Sequence, residues 1–415
     1  MWRVSTKDKF ILRDLAKQYR DVCDSDRNRE ARLLWRDHNC LIKTRPPVYC
    51  MVFFATHMEE EIKAGIPPLV TDITLHEIEY WLRTRLWAST IPDDTVYDPW
   101  YPVEAVRQTA SSGNWGMERK KTYNEVSRSW RNFSVLKTME DLEKLEVTPH
   151  LVLDGNPSEA QLARSIFGDI LPVHVNRSTV YPIWGGTDLS EEAGALIGLE
   201  EMLYMTYDNP ELLHKLMVFM RDGVLKNLEQ GEAAGDWSTA ENQNYSLPPH
   251  TPELPEPEAG SYGARLKDLW FFTHAQEFET VSPDMHEEFL LNYQMPIMKK
   301  FGLVNYGCCE TLDKKIDILR KIPNLRRICV GPTANLKTCS DQIGKDYIVS
   351  WRPNPALMVS NGFDPDNVRK VIRQALKDSQ GCSIEVMLKE LMTVQGELSR
   401  LFKWTEIANQ EVRNL

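Results

Sequence analysis

The spacing of hydrophobic residues differs between the first part of the chain and the rest. Over roughly the first 150 residues, apolar side chains recur at helical spacing between polar ones, which predicts helices joined by loops. From about residue 165, short apolar runs such as 170–175 and 303–306 alternate with longer amphipathic segments. This second rhythm is typical of β/α units, in which each strand is followed by a helix.

The predicted elements follow from these patterns. Strands are predicted at 268–273, 303–306, 325–330 and 347–351, and at the run 170–175. Helices are predicted at 196–204, 210–228, 283–300, 312–322, 365–379 and from 384 towards the C-terminus. We expect an α/β protein, a (β/α)8 TIM barrel over 151–415, with an N-terminal extension of helices and loops over 1–150 that packs on the barrel.

Composition and charge narrow the classes of function. A formal net charge of -11 argues against nucleic-acid binding, which requires clustered Lys and Arg. No stretch approaches the roughly 20 apolar residues of a membrane helix, and the N-terminus lacks the apolar core of a secretory signal. We therefore expect a cytoplasmic protein. A proline-rich segment at 241–262 predicts a long loop at the mouth of the barrel.

The most specific local feature is the segment NYGCCE at 305–310, which follows a predicted strand. In an extended chain alternate side chains share a face, so Tyr306, Cys308 and Glu310 would point one way and Cys309 the other. A thiolate and a carboxylate two residues apart can ligate one divalent metal, and thiolates favour zinc. The alternative is a buried structural cysteine pair with Glu310 capping the next helix.

Cys382 is the candidate for a third metal ligand. It follows Gly381 at a second junction between predicted elements, late in the barrel. Catalytic zinc sites keep three protein ligands and one open position, which the set Cys308, Glu310 and Cys382 would supply. The alternative for Cys382 is that it fills space as a small apolar residue.

Two further groups of polar residues are candidates for substrate binding. The apolar run 268–273 ends in His274 and Glu277, which is where barrel enzymes place their site. These residues could orient substrate, act as acid or base, or coordinate metal, or they belong to an ordinary charged loop. His174 and Trp184 mark an earlier loop, where they would bind substrate or simply pack.

The order of several segments resembles the uroporphyrinogen decarboxylase superfamily over about residues 165–415. The segments that carry the resemblance are 208–211 (DNPE), 281–285 (VSPDM), 344–351 (GKDYIVSW) and 381–382 (GC). Within the superfamily, the corrinoid-dependent methyltransferases are most similar, since they place a His-x-Cys-Gly zinc motif at the strand that here carries Tyr306 and Cys308. Tyr306 stands where that family has histidine, which leaves Glu310, Cys309 or His274 as the substitute ligand.

The resemblance implies a function. A zinc-dependent enzyme would move a methyl group between a small methylated substrate, such as a methoxylated aromatic compound or a methylated amine, and the cobalt of a corrinoid (cobalamin) protein. Zinc would act as a Lewis acid, and Tyr306 or Glu310 would protonate the departing heteroatom. The alternatives are a decarboxylase-like lyase, which predicts an arginine-lined pocket without metal, and a binding protein without a metal site.

Overall fold

The computed structural model describes residues 4–52, 56–109, 113, 115–124, 130–181, 188–242 and 247–414. The strands in these ranges are β1 Val48–Cys50, β2 Tyr101–Glu104, β3 Val106–Arg107, β4 Lys120–Tyr123, β5 Trp130–Phe133, β6 Val152–Asp154, β7 Val173–Asn176, β8 Trp270–Thr273, β9 Leu303–Tyr306, β10 Leu325–Val330, β11 Ile348–Trp351 and β12 Ser383–Leu388.

The α-helices precede and follow these strands along the chain and pack around them. They are α1 Thr6–Cys23, α2 Asp26–Asn39, α3 Thr56–Ala64, α4 His76–Ala88, α5 Met139–Leu142, α6 Ser158–Phe167, α7 Leu189–Ile197, α8 Leu199–Asp208, α9 Pro210–Ala234, α10 Pro283–His286, α11 Asn292–Met298, α12 Ile316–Leu319, α13 Leu336–Ile343, α14 Pro365–Asp378 and α15 Ser399–Arg413. The π-helical turn Glu287–Leu291 connects α10 to α11.

A curled, fully parallel sheet of six strands forms the centre, in the order β1-β12-β11-β10-β9-β8. Its strands β8, β9, β10 and β11 lie where the hydrophobic runs predict them. Its outer face is apolar and packs on helices, as Val304, Ile328 and Val349 illustrate. Parallel sheets are buried on both faces, which explains the continuous apolar runs of the sequence.

The closed eight-stranded barrel that the sequence predicts is not formed by the described residues; the sheet is a half-barrel. The edge strands β1 and β8 do not pair with each other. Side chains instead accept the backbone N–H groups at both edges: Asp94 and Asp93 accept from Val48 and Cys50, and Asn242 and Asp188 accept from Trp270 and His274. Edge N–H groups that are satisfied in this way require no further strand.

The N-terminal arm contributes to the half-barrel itself. Strand β1 pairs with β12 although it lies within the first 150 residues. Helix α2 inserts Trp35 into an interior cluster with Phe272, Cys308 and Met387. The remaining strands form separate pairs, namely β2 with β7, β3 with β6 and β4 with β5.

Two predictions about elements are wrong in ways that affect the site. The chain from Ile384 was predicted to be helical, but it forms strand β12, and the C-terminal helix α15 begins only at Ser399. The proline-rich loop lies at the amino ends of the strands, not at the mouth: Pro249 O accepts from Trp270 Nε1, and Glu253 pairs with Arg326 near the start of β10.

In the described ranges, no helix combines the length and the apolar character that crossing a membrane requires.

Candidate functional site

A cavity of about 1100 Å³ lies at the carboxyl ends of the central strands. His274 and Glu277, which follow β8, Cys308, which follows β9, and Glu390, which follows β12, all line it. Helices α7 and α8 and the hairpin of β4 and β5 provide the other walls. Because the carboxyl ends of parallel strands meet at one edge, residues distant in sequence converge here.

The turn after β9 determines where the two cysteines point. Gly307 has a φ of +96°, a conformation that favours glycine, so the strand alternation ends at Tyr306. A Cβ at this position would lie 2.7 Å from Leu312 Cδ1, so the Leu312 side chain would have to shift to accept one. Tyr306, Cys308 and Glu310 therefore do not share a face, contrary to the sequence prediction.

Cys308 and Cys309 form a close thiol pair. Their sulfur atoms lie 3.5 Å apart, and Cys309 Sγ also contacts Glu390 Oε1. The hydrogen bond from Cys309, aided by the charges of Lys389 and Arg352, holds the pKa of Cys308 well below its ordinary value, although burial opposes this. The same hydrogen bond raises the pKa of Cys309. The thiolate form is therefore favoured at Cys308 over Cys309.

Lys389 and Glu390 complete this group, and the sequence prediction missed both. Lys389 Nζ lies 3.0 Å from each sulfur and 2.8 Å from Glu390 Oε1. Glu390 has a φ of +59°, a strained conformation for a residue with a side chain, and such strain is concentrated at functional sites. A strand prediction for 383–388 would have placed both residues at the carboxyl edge.

Glu310 has a different role from the one predicted. Its two carboxylate oxygens accept the backbone N–H groups of Ala275 at 2.8 Å and Cys308 at 2.7 Å. The side chain is 1% exposed and does not line the cavity, and burial raises its pKa. Glu310 thus connects the turns after β8 and β9 and is not placed to ligate a metal with Cys308.

Tyr306 lies on the outer side of the sheet. Its hydroxyl group donates to Gln294 Oε1 and contacts His286 Nε2, each at 2.8 Å. The side chain is fully buried within the main core cluster. It therefore has no access to the cavity and cannot protonate a substrate there.

Cys382 lies at the opposite end of the sheet from Cys308. It precedes β12, whose carboxyl end leads to Lys389 and Glu390, and its sulfur contacts Ser340 O at 3.4 Å. Six residues of strand span about 20 Å. The structure does not bring Cys382 to Cys308, because a strand at 383–388 separates them where the sequence predicted a helix.

His274 and Glu277, for which the sequence predicted a role in substrate binding, both line the cavity. His274 Nε2 lies 3.4 Å from Asp188 Oδ2, and Nδ1 lies 3.9 Å from Glu277 Oε2. Burial would lower the pKa of His274, but Asp188, Cys308 and Glu310 outweigh it and raise the pKa to about 9. The two ring nitrogens thus face different carboxylates, which favours the protonated imidazole.

His174, which the sequence predicted to bind substrate, does not line the cavity. This side chain is buried on β7, where Nε2 contacts Glu241 Oε1 at 2.9 Å and Nδ1 accepts from Gly260 N. It also stacks on Tyr262, so its surroundings fit loop packing. Trp184, the other predicted substrate-binding residue of this loop, lies outside the described residues.

The donor set of Cys308, Cys309 and Glu390 fits a zinc ion. The ligand atoms lie within 4.8 Å of one another. With zinc–sulfur bonds of about 2.3 Å, tetrahedral geometry places two sulfurs about 3.8 Å apart, close to the separation of this pair. Two sulfurs and one carboxylate are a zinc-type set, and a fourth position would remain for substrate.

Comparisons with known proteins relate the chain to others through its fold. No family model matches the sequence, and no curated protein matches it. Among solved structures, a methyltransferase from Methanosarcina mazei is similar with a TM-score of 0.52 and 12% sequence identity. The similarity covers 91% of this chain and 97% of that chain. It therefore includes the N-terminal arm as well as the half-barrel, and at this identity it defines the fold.

Proposed function

We propose that this protein is a methyltransferase that moves a methyl group between a small methylated substrate and the cobalt of a corrinoid protein. The observation that carries the proposal is the convergence of Cys308, Cys309 and Glu390 at the wall of a large cavity. The fold shared with the Methanosarcina mazei methyltransferase supports it. The cavity lies where parallel α/β folds bind their substrates.

Cys308, Cys309 and Glu390 would hold a zinc ion. A bound zinc ion supplies Lewis-acid activation of the heteroatom that bears or receives the methyl group. This assignment differs from the ligand set predicted from the sequence in two of its three residues. Glu390 replaces Cys382, and Cys309 replaces Glu310, which the backbone amides of Ala275 and Cys308 already engage.

His274 is the proton donor that the cavity provides. Asp188, Cys308 and Glu310 raise the pKa of its ring to about 9, which favours the protonated form at neutral pH. Asp188 accepts the backbone N–H of His274 at 2.9 Å and lies 3.4 Å from its ring, so it orients the imidazole. A proton transferred from His274 would neutralise the heteroatom that loses its methyl group.

The cavity is large for a single small ligand. At about 1100 Å³ it exceeds the roughly 300–1000 Å³ of pockets that enclose one small ligand. Phe272 and Leu203 give it apolar walls that suit a methoxylated aromatic compound or a methylated amine. The corrinoid of a partner protein would dock over the mouth of this cavity.

The arginines of this cavity do not support the alternative function, a decarboxylase-like lyase. Arg119 is paired with Glu192, and Arg131 lies 3.4 Å from Glu200. A decarboxylase of an anionic substrate would need such guanidinium groups for the substrate. In this cavity, carboxylates of the protein itself pair with the guanidinium groups of Arg119 and Arg131.

Metal content tests the ligand assignment. Protein purified without added metal should contain about one zinc per chain. Cys308→Ala, Cys309→Ala and Glu390→Gln should each lose most of it, whereas the matched control Cys382→Ala should retain it. Zinc that is absent from the wild type, or that Cys382→Ala removes and Glu390→Gln does not, would contradict the assignment.

Methyl transfer itself is measured with free cob(I)alamin as the acceptor. Methoxylated aromatic compounds and methylated amines are supplied in turn, and methylation of the cobalt is followed by its absorbance change. We expect turnover by the wild type with a member of one class and none by Cys308→Ala. Turnover that is equal in the two proteins would refute the proposed site.

A further inference from the structure

The ammonium group of Lys389 lies at the point where the three candidate ligand atoms converge. Its contacts are Cys308 Sγ and Cys309 Sγ, each at 3.0 Å, and Glu390 Oε1 at 2.8 Å. An ammonium has three N–H donors and no acceptor, and here it donates to the two sulfurs and forms an ion pair with the carboxylate. The side chain is 2% exposed.

The register of β12 directs Lys389 to this point. Side chains alternate along a strand, and Glu385 and Met387 face the interior of the half-barrel, where they contact Arg327 and the cluster around Cys308. Lys389 lies two residues after Met387, so its side chain points to the same face. Its position is therefore set by a six-residue strand and not by a loose surface loop.

A metal ion bound by the same three atoms would exclude the ammonium. Cys308, Cys309 and Glu390 would direct their lone pairs at the ion, which leaves no acceptor for the lysine N–H groups. Two cations would also lie within a few ångströms of each other in a region that is largely closed to water. Lysine has a flexible four-carbon stem, and the cavity that Cys308 and Glu390 line offers space into which it can turn.

We propose that Lys389 is a built-in competitor for the metal, which occupies the cluster of Cys308, Cys309 and Glu390 when no metal is bound and turns into the cavity when one binds. The proposal rests on the ligand assignment given under the proposed function. It implies that the metal-free site stays assembled, because an internal cation separates its anionic groups. It also implies that this chain binds zinc more weakly than the same ligands would without the lysine.

Zinc affinity of chelator-stripped protein tests the competition. Zinc is titrated in the presence of a chromophoric chelator into the wild type, Lys389→Met and the matched control Lys315→Met. Lys315 is also buried, at 3% exposed, but its ammonium donates to the carbonyl groups of Phe278 and Glu279. Lys389→Met should bind zinc at least about tenfold more tightly than the wild type, a gain of about 1.4 kcal/mol. Lys315→Met should match the wild type.

The outcomes separate this inference from the proposed function. Equal affinities of the wild type and Lys389→Met would overturn the competition but leave the zinc site intact. Zinc binding by Lys389→Met alone would support the competition and contradict a zinc enzyme in the wild type. Zinc binding by neither protein would overturn both.

A second measurement needs no variant. The wild type is treated with an amine-acylating reagent with and without saturating zinc, and the peptide that contains Lys389 is quantified by mass spectrometry. Lys389 should be protected in the stripped protein and become modified when zinc is present. Equal protection in both states would show that the side chain does not leave, and would overturn the proposal.

Discussion

Glu310 illustrates how one residue can satisfy a sequence pattern and yet serve another purpose. It lies two positions from Cys308, as a metal ligand would, but both of its oxygens accept backbone N–H groups from two neighbouring turns. Burial of a carboxylate without such donors is costly, and these donors offset that cost. Spacing alone cannot distinguish a carboxylate that binds a metal from one that supports the backbone beside it.

The change Glu310→Gln tests this role. The amide NH2 group would face a backbone N–H, so one buried donor loses its acceptor, at a cost of about 1–3 kcal/mol. We expect that loss in the free energy of unfolding measured with urea, and zinc content like that of the wild type. Glu279→Gln is the control, because Glu279 accepts from Thr311 in an exposed setting. Loss of zinc without loss of stability would restore Glu310 as a ligand.

His274 lines the cavity and is the acid proposed for this site. The change His274→Asn removes the acid while keeping a polar side chain. Methyl transfer should fall by about 10²–10⁴-fold, the usual contribution of a general acid, and zinc content should not change. Gln276→Ala, at another position on the cavity wall, is the control. A rate within a few-fold of the wild type would mean that another group supplies the proton.

At the scale of elements, the sequence predicted four of the six central strands from their short, largely apolar runs. The prediction failed at β12, where the chain from Ile384 was predicted to be an amphipathic helix. In the structure Glu385 faces inward, because Arg327 on β10 neutralises it. No pattern local to 383–388 contains that partner, and the error hid Lys389 and Glu390.

The open edge of the sheet depends on side chains that no strand pattern predicts. Asp94 accepts the N–H of Val48 on β1 and both terminal nitrogens of Arg45, at 2.6–2.8 Å. The change Asp94→Ala should lower the free energy of unfolding by about 2–3 kcal/mol, since buried donors lose their acceptor. Asp341→Ala removes an exposed ion pair on α13 and should cost less than about 1 kcal/mol. Equal effects would show that the edge is held in another way.

At the scale of the whole molecule, the N-terminal helices stabilise the interior of the half-barrel. His38 of α2 contacts Glu385 at 3.2 Å, and Glu385 accepts from Arg327 at 2.9 Å, all within the interior. Asn39 on the same helix accepts from Arg327 and donates to the proline-rich loop. The sequence predicted an arm that packs on the barrel, but it could not indicate that the arm supplies polar partners to the inside of the sheet.

This interior cluster predicts that acid destabilises the fold. Burial lowers the pKa of His38 below its ordinary value. Burial would raise the pKa of Glu385, but Arg327 and His38 outweigh it and lower the pKa to about 2. As pH falls below about 6.5, the unfolded chain takes up a proton at His38 that the folded chain does not, so stability decreases. Below about 4.5 the same holds for Glu385, whose contribution of roughly 3 kcal/mol is lost as pH approaches 2.

The change His38→Gln isolates the first of these steps, because glutamine keeps a donor for Glu385 and does not titrate. Urea unfolding of both proteins at pH 7, 6 and 5 should show the wild type losing stability relative to His38→Gln, by at most about 1.4 kcal/mol per pH unit, the limit for one proton. Glu385 remains ionised in the folded state throughout this range, so the difference belongs to His38. Parallel pH profiles would mean that His38 is protonated in the folded protein and pairs with Glu385 as a cation, which reverses the sign of its contribution.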